Sequence, residues 1–160
     1  MKEVQLTKGY VALVDDEDFE RVRQFKWCAS VTTYGVYALR GIRDAAGKQT
    51  TQLLHRFILG ITNPETDTDH EDHNGLNCQR HNLRVGTTTQ NMGNYRKSAG
   101  GTSKYKGVCW NKLARKWYAQ IKIKGQSTYL GLFVEEVAAA RAYDVAAKEH
   151  FGKFALLNNV

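Results

Sequence analysis

The sequence predicts an α+β protein in two parts, ending in a three-stranded antiparallel sheet packed on one helix. Three observations predict it. Residues 116–124 (KWYAQIKIK) alternate apolar and polar with period two, the signature of a strand with one buried face. Residues 135–151 (EEVAAARAYDVAAKEHF) lead with acids and carry small alanines at helical spacing. The charge balance switches along the chain: residues 1–95 hold 11 Lys+Arg against 12 Asp+Glu, whereas residues 96–160 hold 12 against 4. A module that basic points to a polyanion, most often nucleic acid, because Lys and Arg release condensed counterions from phosphates.

The totals agree with such a reading. A chain of 160 residues, 42% hydrophobic with eight Tyr, six Phe and three Trp, has enough apolar mass for one domain or two small ones. It contains no run of about 18 apolar residues, and MKEVQLTKGY lacks the apolar core of a signal peptide, so a soluble, cytoplasmic protein with no membrane partner is expected. Cys28, Cys78 and Cys109 form no CxxC pair and are expected to be reduced thiols.

In chain order, KGYVALV reads as a strand. DDEDFERVRQFKW reads as a helix whose acids complement its positive N-terminal end and whose Phe19, Val22 and Phe25 form an apolar stripe. YGVYALRGI and QTTQLLHRFIL are strand-like. Gly75 and Asn77 mark a turn, and Thr87-x-x-Gln90 has the capping-box spacing that starts a helix running to about Tyr95. SAGGTS (98–103) is small and polar, lies where the charge changes sign, and is the expected linker between a domain at 1–97 and a second at 104–160. KGVCW, RKWYAQIKIK and QSTYLGLF are the three strands, with Lys124-Gly125 as a tight turn. The helix comes next, with an Ala139, Ala142, Ala146 stripe and an Asp144–Lys148 pair. With its alanines lying on one face of the sheet, the other face presents Lys116, Tyr118, Gln120, Lys122 and Tyr129.

Residues 68–91, TDHEDHNGLNCQRHNLRVGTTTQN, concentrate three of the five histidines, three acids and four asparagines. Imidazole, carboxylate and amide together suit metal binding and proton transfer near neutral pH. If the segment forms two strands, a turn and a helix, His70 and Asn91 converge. Carboxylate and amide oxygens are hard ligands suited to Mg²⁺, and a neutral imidazole deprotonates water, which are the parts of a phosphodiester hydrolase.

LHR at 54–56, DHEDHNGLNCQRHNLR at 69–84 and TTTQN at 87–91 resemble the HNH endonuclease family of mobile introns and phage genomes, and VALVDDEDFERVRQFKW resembles its N-terminal part. The resemblance implies a ββα-metal unit binding one divalent ion, Mg²⁺ or alternatively Mn²⁺, through Asp69 and Asn91. It implies His70 and Asn82 as the catalytic pair, the first a general base and the second bracing the loop. Asp72-His73 offers a second register, less well spaced to Asn82. Each residue has a plainer reading: a solvated pair for Asp69 and His70, a structural amide for Asn82, a first-turn polar residue for Asn91. His55 reads as a packed core histidine, His73 as a turn residue and His81 as exposed. Arg84 either touches phosphate or covers apolar surface with its stem. A zinc site from His70, His73, Cys78 and His81 is a rival, but only four residues separate its two pairs, where common zinc modules have about 12.

TSKYKGVCWNKLARKWYAQIKIKGQSTYLGLF with EEVAAARAYDVAAKEHFGKFALLNN resembles the ethylene-response-factor (Apetala-type) DNA-binding domain of plants over 102–159. That family lays its sheet in the DNA major groove. The resemblance puts Cys109, Asn111, Gln120, Lys122, Ser127 and Tyr129 at base-reading positions. Gln120 suits adenine, and Lys122 guanine or phosphate. Lys106, Lys112, Arg115, Lys116 and Lys124 are expected on phosphates, which position without specifying. Trp110 and Trp117 are expected in the core.

Together these readings predict a metal-dependent endonuclease acting on double-stranded DNA. One active site cuts one strand, so a monomer nicks and a double-strand break needs a homodimer or two events. The rival is a catalytically inactive DNA-binding regulator, against which stands the presence of all four motif residues.

Overall fold

The computed structural model describes residues 1–44, 46–97 and 100–160, which form four small antiparallel sheets and four helices. Their contacts divide them into a first unit, Met1–Thr87, and a second, Thr88–Val160.

In the first unit, β1 (Lys2–Gln5) pairs with β2 (Val11–Val14), burying Val4, Ala12 and Val14. KGYVALV thus supplies the expected strand; KEVQ, with one inward residue, gave no alternation to read. Helix α1 (Asp16–Val22) is shorter than the sequence predicts. Trp27 folds back so that its indole N–H donates to the Val22 carbonyl at 3.0 Å, which also accepts the Phe25 N–H, so the helix end is capped twice. Phe25 therefore leaves the apolar stripe: it is 40% exposed and lies under the Arg40 guanidinium, 3.5 Å from the ring centroid. Asp18 does more than complement the helix dipole. Fully buried, it accepts hydrogen bonds from both Arg21 and Arg80.

Strands β3 (Cys28–Thr32), β4 (Gly35–Arg43) and β5 (Gln49–Leu53) form a meander. The strand expected over QTTQLLHRFIL is half wrong, because its second half is helix α2 (Leu54–Leu59). Leu54, His55 and Ile58 are its buried residues, an i, i+1, i+4 pattern, and Gly60 ends it in the left-handed conformation. A short hairpin comes next, β6 (Asp67–His70) and β7 (Leu83–Gly86), with Asp69 opposite Arg84 and His70 opposite Leu83. Leu54, Ile58, Cys78 and Leu83 join Val14, Val22 and Trp27 in one core.

The second unit opens with α3 (Thr88–Asn94), close to the capping-box prediction. This helix groups with the residues C-terminal to it, ahead of the expected linker. Gly93 is in close approach to Phe151, which an added Cβ would meet at 2.5 Å, and its carbonyl accepts bonds from Leu156 N–H and Lys106 Nζ. Of the expected linker, Ser98 and Ala99 lie outside the described residues. Ser103 is buried and donates to Glu136, and Thr102 Oγ1 accepts the Trp110 N–H, so these two residues are built into the second unit.

Strands β8 (Val108–Asn111), β9 (Lys116–Ile123) and β10 (Gln126–Phe133) form a sheet in the order β10-β9-β8. Helix α4 (Glu136–Phe151) covers one face. Val108, Ala119 and Ile121 pack with Ala139, Ala140, Tyr143, Ala146 and Ala147 in two adjoining clusters. Two readings are corrected. Ala142 is only partly buried, the stripe running through 139, 140, 143, 146 and 147. Asp144 makes no ion pair with Lys148 among the described residues; buried, it accepts bonds from Asn158 and the Asn159 N–H, tying down the C-terminal segment.

Candidate functional site

The residue that matters most in the first unit is His70, at the end of β6. Its ring is 6% exposed, edge-to-face with His55 at 4.8 Å between centroids and 6.0 Å from the Tyr37 ring. Cys78 Sγ lies 4.0 Å from Nε2. Burial pushes the His70 imidazole below its ordinary range, and this outweighs the opposing charges of Asp72 and Asp69. The ring is neutral at neutral pH, as a general base must be. His55 is the packed core histidine its sequence context predicts, but its Nδ1 has no hydrogen-bond partner, and burial, then His70 and Arg56, push it down to about 3.

Asp69 precedes His70, so on a strand its side chain points to the opposite face. Its carboxylate is partly exposed and pairs with Arg84 directly across the hairpin. Arg84 is itself buried, and also approaches Glu71 at 3.6 Å. The expected phosphate contact by Arg84 is therefore corrected: its guanidinium serves the Asp69 side of the hairpin rather than an outer surface. A partly exposed carboxylate with hard oxygens fits Mg²⁺, which keeps several waters and needs few protein ligands.

The loop between the strands is held from within. Asn82 Nδ2 donates to Asp72 Oδ1 at 3.0 Å and to the Asn77 carbonyl at 2.8 Å, while its Oδ1 accepts the Asp72 N–H at 3.0 Å. Burial works to raise the Asp72 carboxyl, but hydrogen bonds from Asn74, Asn77 and Asn82 and the nearby His70 outweigh it and hold it low. Asp72 is thus committed to the loop, with His73 on a left-handed turn at φ 63°, and the second Asp-His register is not set up as a site. Arg80 anchors the loop to α1 through Asp18 and, at 2.7 Å, Glu17. Among the described residues no three His, Cys, Asp or Glu side chains converge to hold a metal, so the zinc rival is not formed. His81 is exposed.

Asn91 lies on α3, in the second unit, and is partly buried. Sequence reasoning missed Tyr37 and Cys78 as neighbours of His70. Tyr37 gave no signal in its strand, and Cys78 stood out only as half of a zinc pair.

In the second unit, strand pairing fixes the face away from α4. Cys109 lies opposite Tyr118, Asn111 opposite Lys116, Gln120 opposite Tyr129 and Lys122 opposite Ser127, so one face carries all eight. Tyr129 is 56% exposed, and its ring lies 5.2 Å from that of Tyr118. Lys112, Arg115, Lys116, Lys122 and Lys124 are exposed, with Arg115 and Lys124 at left-handed turn positions. Two expectations change. Lys106 is partly buried and donates to the Gly93 carbonyl at 2.6 Å, and burial pushes its ammonium down to about 8, so its charge is engaged inside the unit rather than on the exposed face of the sheet. Trp110 packs T-shaped on Trp117 at 5.0 Å but is 37% exposed, a rim residue rather than a core one.

No family model matches the chain. It is 33% identical over 160 residues to an "uncharacterized HNH endonuclease" of Acanthamoeba polyphaga mimivirus, covering 96% of this chain and 77% of that protein. A 57-residue segment, 36% of this chain, is 44% identical to an AP2-like ethylene-responsive transcription factor of Arabidopsis thaliana. The same length is 47% identical to an AP2/ERF and B3 domain-containing protein of Oryza sativa. These matches cover 18% and 15% of the two plant proteins, so the likeness is to one domain of each.

Proposed function

This chain belongs to the HNH endonuclease family, and on that premise we propose that it hydrolyses phosphodiester bonds in double-stranded DNA. The C-terminal sheet holds the duplex through its exposed face, and each active site nicks one strand. The observation that carries this reading is the burial of the His70 imidazole on the strand that also carries Asp69, backed by a loop that Asn82 braces.

The chemistry comes from the side chains. His70 accepts a proton from the attacking water, and its burial keeps it unprotonated at pH 7. Asp69, with Asn91 as the second ligand that the family motif implies, would hold one divalent ion, Mg²⁺ or Mn²⁺, as in the family's ββα-metal unit. Such an ion stabilises charge on the phosphate and the leaving 3′ oxygen when bound. Asn82 keeps the 71–82 loop in register with both strands, and Arg84 holds Asp69 in place from across the hairpin. Lys112, Arg115, Lys116 and Lys124 grip phosphates, while Asn111, Gln120, Lys122 and Tyr129 face the bases. The protein acts inside the cell, where its substrate is, as a monomer that nicks or a homodimer that cuts both strands. Such activity suits a mobile or viral element.

Supercoiled plasmid incubated with protein and Mg²⁺, with and without chelator, tests the reading. Nicking that the chelator stops and His70→Ala abolishes, with DNA binding retained, is the expected result. Binding without any metal-dependent nicking would make the protein a DNA-binding regulator instead.

A further inference from the structure

The outer face of the second unit's sheet is polar at its ends and apolar across its middle. Strand pairing sets its side chains in rows: Asn111 with Lys116, Cys109 with Tyr118 and Leu132, Gln120 with Tyr129, and Lys122 with Ser127. The second row crosses all three strands. Tyr129 leans on it from the next row, its ring 5.2 Å from that of Tyr118 with 32° between their planes, so the two rings brace each other. Leu132 reaches this face only through a bulge. In an unbroken strand Leu130 and Leu132 would share a face. Here Tyr129 pairs with Gln120 and Gly131 with Ala119, so Leu130 is an extra residue that shifts the alternation. Leu130 and Phe133 pack into the core beneath, and Leu132 is turned outward, 37% exposed. Gly131 permits the bulge at φ +137°, where L side chains rarely go.

We propose that the row of Cys109, Tyr118 and Leu132 is a seat for the 5-methyl group of a pyrimidine in the major groove, that of thymine in an A·T pair. The proposal rests on the reading that this face holds the duplex, and adds what the face selects. Lys116 and Lys122 are exposed on either side of the apolar row, and β8, β9 and β10 contain no Asp, Glu or Arg, so a polyanion is attracted and nothing on the strands repels it. The strands therefore lack both the Arg fork that reads guanine and the carboxylate that reads the cytosine amino group. The thymine methyl is the one apolar group that base pairs present in the major groove. A G·C pair would instead press polar edges against the row, where they lose water without gaining partners. The 5-methyl group is common to thymine and 5-methylcytosine. Gln120 in the neighbouring row favours thymine, because its amide suits adenine N6 and N7.

The test uses the whole chain in chelator, so that no strand is cut. Duplexes are selected from a random-sequence pool, and a selected duplex is then made with deoxyuridine replacing thymine at one position at a time. Fluorescence anisotropy should show affinity about fourfold weaker where the lost methyl was buried by the row, and no change at other thymines. Leu132→Ser should erase that difference, and Cys109→Ser should diminish it and serves alone if Leu132→Ser does not fold. Selected duplexes sharing no A·T pair, uracil tolerated at every position, or a uracil penalty undiminished in these variants would overturn the inference. A 5-methylcytosine·guanine pair at the sensitive position identifies the source: binding equal to that of thymine·adenine assigns the seat to the methyl of either base, weaker binding to thymine alone. Failure to bind any duplex would refute the DNA-binding reading itself, whereas tight binding that ignores the methyl refutes only the seat.

Discussion

Asn82 and Asp72 exchange hydrogen bonds across the 71–82 loop, the Asp72 N–H to Asn82 Oδ1 and the Asn82 amide back to Asp72 Oδ1, both at 3.0 Å. Asn82 is 4% exposed, and its amide also binds the Asn77 carbonyl, so Asn82→Ala takes a partner from the Asp72 N–H and the Asn77 carbonyl, while Asp72 Oδ1 keeps the Asn74 N–H. Buried groups stripped of a hydrogen bond cost about 1–3 kcal/mol each, less where water reaches them. Asn82→Ala should lower stability by about 1–3 kcal/mol and reduce nicking at temperatures where the protein remains folded. Urea denaturation measures it, and a variant as stable as the native chain would refute the bracing role.

Much of the fold was legible in the sequence. Alternation in Lys116–Ile123 and the acid-led alanine run specified the second unit's sheet and helix, because a half-buried strand and an amphipathic helix have periods that sterics impose. What failed has a physical pattern. LLHRFIL was ambiguous because a short apolar run buries equally well as helix or strand. Locally, Asp18 reads as a helix-dipole charge, Asp144 as a partner of Lys148, Arg84 as a phosphate contact or a stem over apolar surface, and Lys106 as a phosphate contact, yet each is held by partners distant in sequence that no local rule shows. The roles proposed for Asp69, His70 and Asn82 rest on the motif, whereas the Cys78 contact exists only once β2 has pinned the loop.

Acid should weaken the first unit through its buried histidines. His55 is pushed down to about 3 in the folded chain, against about 6.5 when unfolded. Between those values the unfolded state binds more protons, so stability rises with pH: it is fully present above about 6.5 and lost as pH falls towards 3. Going from pH 7 to pH 5 should remove about 2 kcal/mol through His55 alone, and burial of His70 acts in the same direction. His55→Phe should flatten the dependence measured by denaturation at those two pH values. A variant as pH-sensitive as the native protein would show that His55 is not the titrating group.

On the sheet, phosphate and base contacts separate by their salt dependence. Lys116→Ala or Lys124→Ala should weaken binding to every sequence and reduce the slope of log K against log salt by about 1. Gln120→Ala, opposite Tyr129 on the same face, should leave that slope alone and relax preference at one base pair by about 1–3 kcal/mol. Fluorescence anisotropy over a salt series on two duplexes distinguishes them. A lysine variant with the native slope would not be a phosphate contact.

Gly107 sets how closely the start of the sheet can approach α4. Its φ is +75°, and an added Cβ would stand 2.0 Å from Tyr143 Cδ2 and 2.6 Å from the Gln120 carbonyl, whose own N–H donates to the Gly107 carbonyl at 2.8 Å. Tyr143 is buried in the α4 core and Gln120 is strand backbone, so neither can yield cheaply. Gly107→Ala should therefore combine left-handed strain of about 1–2 kcal/mol with overpacking of about 1–3 kcal/mol. Gly125→Ala is the control: its φ is +84°, but nothing lies within 4 Å of the new methyl, so only the strain remains. Thermal melts should rank native above Gly125→Ala above Gly107→Ala, with DNA affinity lost first in Gly107→Ala. Equal stability of the two variants would mean that the close packing of Gly107 against Tyr143 does not limit the fold.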